Sequence, residues 1–94
     1  MKITGFIWLE DIVDKIVRKH SVKPEEVHEL FLNDPRFRFV EKGHRKDENV
    51  YATFGQTNEG RYLICFFVHK KDDRALIISA RDMTRAERKI YGRK

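Results

Sequence analysis

Ninety-four residues, 40% hydrophobic and 37% charged, suit one small domain spanning 1–94, and the abundance of Phe, Ile, Leu and Val excludes a disordered chain. The longest apolar run, residues 62–68, falls far short of the ~20 residues of a membrane-spanning helix; no secretory leader follows Met1, and a lone Cys65 excludes an internal disulfide and points to a reducing cytoplasm. The formal net charge of +5 lies entirely after residue 73: residues 1–73 balance 13 basic against 13 acidic side chains, whereas residues 74–94 carry seven basic groups and two acidic ones.

Residues 3–8 are apolar enough for a short strand or a packed leader. Ile12, Val13, Ile16, Val17 and His20 then recur on one face of a helix over 10–20. Pro24 opens a second helix at its first position, with Glu25 and Glu26 at the positive end of the dipole. Its stripe is Val27, Leu30 and Phe31, and Asn33-Asp34-Pro35 ends it. Phe37 and Phe39 alternate with Arg36 and Arg38 as in a strand, and the polar stretch 41–48 reads as a loop. Residues 49–57 alternate, with Val50, Ala52 and Phe54 on one side. Residues 61–69, between turns at 57–60 and 70–73, predict a central strand covered on both faces. A strand over 75–80 follows. Thr84 and Glu87 form a capping-box pattern that opens a short helix over 85–91, ended by Gly92.

The order predicts an α+β fold: two N-terminal helices, an antiparallel meander of about four strands, and a short basic C-terminal helix. Hairpins centred near 58–59 and 71–72 would place Arg61 and Arg81 at one end of the sheet, and Glu48, His69 and Arg74 at the other. Hairpin geometry fixes shared ends, not shared faces. A metal site is not expected. Cys65 and His69 point the same way on a strand, but two ligands do not make a site, and His20, His28, His44 and His69 show no short ligand spacing. No Gly-rich phosphate loop and no nucleophile elbow is present, so no cofactor is expected. The concentrated basic segment attracts polyanions, RNA among them, unless it is simply a solvated terminus.

Several motifs in order resemble the BrnT family, small ribonuclease toxins of type II toxin–antitoxin pairs whose fold is similar to that of the RelE toxins. The likeness rests on Trp8, Arg18-Lys19-His20-Ser21-Val22, Pro24-Glu25-Glu26-Val27, Leu30-Phe31, Asp34-Pro35, Glu48, Gly55, Gly60-Arg61, Arg74 and Ile77-Ile78-Ser79-Ala80-Arg81. Thr84, Glu87, Arg88 and Tyr91 close it. It implies a cytoplasmic, metal-independent endoribonuclease that cuts RNA and is neutralised by a cognate antitoxin, as a homodimer or as a hetero-oligomer with that antitoxin. Leu9, Ile12 and Ile16 stand where the family usually has Asp, Lys and Asn. Such changes suit the alternative, a relative that kept the fold and binds RNA or protein without catalysis. A third class is a small dimeric adaptor with no nucleic-acid role.

Metal-free RNA cleavage needs a base for the 2′-hydroxyl, stabilisation of the phosphorane and an acid for the leaving oxygen. Given the resemblance, Arg61 and Arg81 suit the phosphorane, because a planar fork donates two hydrogen bonds to phosphate oxygens. The alternative is that they anchor salt bridges to Glu59 or Asp82. His20 is either an acid–base group or a helix-end residue near exposed carbonyls. Glu48 either accepts a proton or faces Lys70 as a strand-start carboxylate. Arg74, Arg85, Arg88 and Lys89 form a phosphate track or ordinary solvated charge. Tyr91 either stacks on a base or docks the last helix on the sheet.

Overall fold

A computed structural model describes residues 1–92; Arg93 and Lys94, part of the basic C-terminal segment, lie outside them. The elements are β1 (Gly5–Ile7), α1 (Glu10–His20), α2 (Pro24–Leu32), β2 (Arg36–Arg45), β3 (Glu48–Gln56), β4 (Tyr62–His69), β5 (Arg74–Asp82) and α3 (Arg85–Gly92). The strands form one sheet in the order β1-β5-β4-β3-β2. β2 to β5 are the expected antiparallel meander. The expectation of about four antiparallel strands is corrected by β1, which lies parallel to β5 with Gly5 opposite Arg74 and Ile7 opposite Leu76. The sheet is therefore mixed and five-stranded. Thr4 secures the added strand, its N–H donating to Asp73 O (2.9 Å) and its hydroxyl to Asp72 O (3.1 Å).

Local signals account for the helix limits. α1 ends at Ser21, which takes a left-handed φ of 53°; the N–H of Val22 reaches back to Ile16 O and closes the last turn. The fixed φ of Pro24 starts α2, and Glu26 accepts the free N–H of Lys23 at 3.0 Å.

Both N-terminal helices cover the same face of the sheet. Ile16, Val22, Val27 and Leu30 pack there with Leu63, Cys65, Phe67, Ala75, Ile77 and Ala80. Ile16 is fully buried and Ile12 packs against this core, so two of the three departures from the family pattern are core residues. Leu9 is exposed. On the second face a smaller cluster of Ala52, Phe54, Ile64, Met83 and Tyr91 gathers beneath α3. β4 is central, as expected, yet α3 covers only part of this face, and Phe66 and Val68 stay half-buried.

The stretch 41–48 is not a loop. β2 runs on to Arg45, and the turn contracts to Lys46 and Asp47, the latter at φ 65°. The strand is polar because both its sides meet solvent, and its pairing with β3 slips after Phe39 and again after Glu41. Gly43 is required there, since a Cβ would collide with the carbonyl oxygen of Glu48. Gly43→Ala is expected to lower stability by about 1–3 kcal/mol through this overpacking. Urea unfolding measures the loss, and amide shifts should move first in residues 41–50.

Candidate nucleic-acid interface

Gly60, at φ 90°, turns the chain so that Arg61 enters the sheet beside the ends of α1 and β5. Its guanidinium is fully engaged. Nε and Nη2 donate to the two carboxylate oxygens of Asp82 (2.8 and 3.2 Å). Nη1 donates to Ser21 O (2.7 Å) and to Glu26 Oε1 (3.2 Å), and Nη2 donates to His20 O (2.8 Å). These contacts use all five N–H donors of the fork. The hydrogen bonds from Arg61, with a smaller contribution from His20, hold the Asp82 carboxyl below the usual range. Of the two readings of Arg61, the salt bridge to Asp82 is present.

Arg81 sits opposite Ile64, so it projects on the other face. Its fork grips Glu87 bidentately (2.8 and 3.0 Å), and its Cζ lies 5.6 Å from the centroid of the Phe66 ring. Glu87 also completes the predicted capping box: it accepts from Thr84 N (2.8 Å), while its own N–H donates to Thr84 Oγ1 (3.1 Å). Arg61 and Arg81 thus share an end of the sheet, as expected, but not a face. His20 stays beside Arg61 on the helical face.

The face carrying Arg81 also gathers most of the other candidates. Arg85, Arg88, Lys89 and Tyr91 line an open groove of about 610 Å³ together with Gln56, Tyr62 and Met83. Arg88 lies 4.2 Å above the Tyr62 ring, and Tyr62 meets Tyr91 edge-on at 6.2 Å. Tyr91 docks α3: it is 5% exposed, and its hydroxyl donates to Asp34 O at 3.4 Å. Tyr62 escaped the sequence reading because a tyrosine in an apolar run carries no sign of which face it takes.

Glu48 lies on the same face at the far end. It accepts from Lys70 Nζ (2.8 Å) and Lys71 N (3.2 Å), and these bonds hold its carboxyl below the usual range. With Lys42, His44, Arg45 and Lys70 it lines a second groove of about 420 Å³. His44 becomes a neighbour of Glu48 only because residues 41–45 form a strand, which the polar sequence hid. Arg74 is removed from the rest, at the far turn, with Nε on Asp72 Oδ2 at 2.8 Å. Among the described residues no three His, Cys, Asp or Glu side chains converge as a metal site requires. Burial pushes the Cys65 thiol up, and His69 turns instead to Asp73 Oδ1 at 3.0 Å.

A small α+β fold with a cationic, aromatic-lined sheet face has the equipment of a protein that handles RNA. Comparison with known families narrows this: the model of the family described as the ribonuclease toxin BrnT of the type II toxin–antitoxin system matches residues 8–87, and the chain belongs to that family. RNA as substrate and an antitoxin as partner accompany membership at the level of the family. A search of curated proteins found no match. No helix among the described residues is long and apolar enough to cross a membrane.

Replacing Arg61 by Met leaves Asp82 and the last carbonyls of α1 without their donor. The expected loss is about 2 kcal/mol in urea unfolding. Glu87 supplies a pH test. Arg81 above all, with Thr84, holds its carboxyl at about 2 against an ordinary 4.5. A carboxyl lowered by folding stabilises the fold above its ordinary value, and that contribution disappears as pH falls through the lowered one. The stability advantage of wild type over Glu87→Gln should therefore shrink between pH 5 and pH 2, by about 1–2 kcal/mol after screening.

Proposed function

We propose that the face bearing α3 binds and cleaves single-stranded RNA without a metal, and that a cognate antitoxin neutralises the chain in the cytoplasm as a hetero-oligomer. The observation carrying this reading is that Glu48, Arg81, Arg85, Arg88, Lys89 and Tyr91, all chosen from sequence, lie on one face. In this reading Arg85, Arg88 and Lys89 hold phosphates, and the Tyr62 ring beneath Arg88 receives a base. At the α3 end Arg81 holds a further phosphate of the strand by exchanging Glu87 for phosphate oxygens. The scissile phosphate lies in the far groove, where Glu48 and His44 handle protons and Arg45 with the Lys70 ammonium stabilises the phosphorane. Arg61 acts from the helical face by fixing the end of β5 from which Arg81 projects, with His20 beside it. Arg74 extends the positive field at the far turn.

A second reading, binding without cleavage, is favoured by one observation: both Glu48 and Arg81 are committed to ion pairs in the free chain. One set of measurements separates the two. Inducible expression of wild type should arrest growth with RNA fragmentation, and the purified chain should cut RNA in EDTA. Glu48→Gln should slow cleavage about 100-fold or more. Arg88→Ala with Lys89→Ala should weaken RNA binding and lower the salt slope by about 1 per cation removed. Normal growth with intact RNA at good expression rejects the ribonuclease. Salt-steep affinity without cleavage establishes the binding reading, and affinity flat with salt removes both.

A further inference from the structure

β2 is an edge strand, hydrogen-bonded to β3 alone. Its regular portion runs from Arg36, opposite Phe54, to Phe39, opposite Tyr51, before the ladder slips. Natural edges are blunted by charge, by bulges or by covering elements, because a free row of N–H and C=O groups pairs with any strand offered to it. Here the bulges fall beyond Phe39, and the regular portion is guarded only by the charge of Arg36 and Arg38, which repels a basic strand and leaves the edge open to an acidic one.

The two flanks of this edge differ. Arg36 and Arg38 pair with Phe54 and Ala52, residues of the α3-side cluster, so they stand on that face. Both are exposed, and neither forms an ion pair among the described residues. Phe37 and Phe39 stand on the helical face. Phe37 packs towards Phe31 and Phe67, while Phe39 is 53% exposed. Beyond Phe37 an apolar groove of about 450 Å³ continues this flank past Phe31 and Leu32, and Leu32 is 81% exposed. The edge is therefore cationic on one face and apolar on the other, alternating with the period of a strand.

We propose that the β2 edge from Arg36 to Val40 is a strand-addition site for an extended segment of a partner protein in which acidic and apolar residues alternate. Main-chain hydrogen bonds to the open edge supply affinity. Carboxylates set against Arg36 and Arg38, and apolar side chains set against Phe39, supply register and specificity. A second copy of this chain is a poor occupant, because β2 carries Arg36, Arg38, Lys42 and Arg45 against Glu41 alone, and pairing would set like charge beside like. RNA meets the arginines but uses neither the backbone edge nor Phe39. The proposal rests on the proposed function only in taking the antitoxin as the protein that carries the segment; the edge and its charge stand without it.

The probe is a blocked decapeptide alternating glutamate with valine, titrated into the isotope-labelled full chain. Its controls are the lysine-for-glutamate peptide, a copy N-methylated at every second amide, and decauridylate. Saturable shifts and slowed amide exchange confined to β2 support the site, with binding about tenfold weaker or more for the lysine peptide and for Arg36→Glu with Arg38→Glu. Loss of binding on N-methylation of one alternate set of amides, a change that leaves the protein untouched, shows backbone pairing. Equal binding of the methylated and unmethylated peptides, shifts confined to α3, or decauridylate slowing exchange along β2 as the acidic peptide was meant to, each overturns it. RNA cleavage is read separately, so failure of the peptide with cleavage intact removes this site and leaves the ribonuclease standing.

Discussion

One guanidinium ties the molecule together. Arg61 joins four segments that are distant in sequence: the C-terminus of α1, the first turn of α2, the end of β5 and the start of β4. The carbonyls of His20 and Ser21 are among those a helix leaves unsatisfied at its end, where a cation is most favourable. Asp82 and Glu26 supply the carboxylates that let the cation stay partly desolvated. The helical layer and the sheet are thereby locked at the same end from which Arg81 and α3 project on the opposite side.

This arrangement divides labour between two faces. The helical face is spent on stability: it is covered by two helices and its core is deep, with the Thr53 hydroxyl the one buried side-chain polar atom among the described residues that lacks a partner. The other face is only half covered. α3 caps one end, Glu48 and Lys70 stand at the other, and half-buried Phe66 and Val68 form the floor between them. Arg36, Arg38, Arg45, Arg85, Arg88 and Lys89, none of them in an ion pair among the described residues, lie towards this second face, where a polyanion can reach them, while Lys15, Arg18, Lys19 and Lys23 stay with the helical layer.

Much of the plan is readable in the residues. Pro24, the Thr84–Glu87 capping box and the alternation in 49–57 each carry a local mechanism, and each element formed where its mechanism said. What the residues hide is anything that depends on a neighbour. Residues 41–45 look like a loop because their strand is bulged and solvated on both sides, so no hydrophobic period marks it. The short apolar β1 reveals neither its partner nor its parallel sense, since both are set by β5 almost seventy residues on. The faces of Arg61 and Arg81 turn on one residue of register. The pairing of Glu48 with Lys70 is the exception, legible because the tight turn at 57–60 joins β3 to β4 and fixes which ends meet.

The parallel pairing of β1 has a consequence for the order of assembly. β1 leaves the ribosome long before it can find its place, because its neighbour β5 is made only after α1, α2 and β2 to β4. α1 waits as well, since the surface it packs on includes Ala75, Ile77 and Ala80. Arg61 cannot close its contacts before Asp82 exists. A growing chain therefore lacks both the docked β1 and the α3 end of the cationic face until β5 and α3 have emerged, and a message cut short before that point lacks Arg81, Arg85, Arg88 and Lys89.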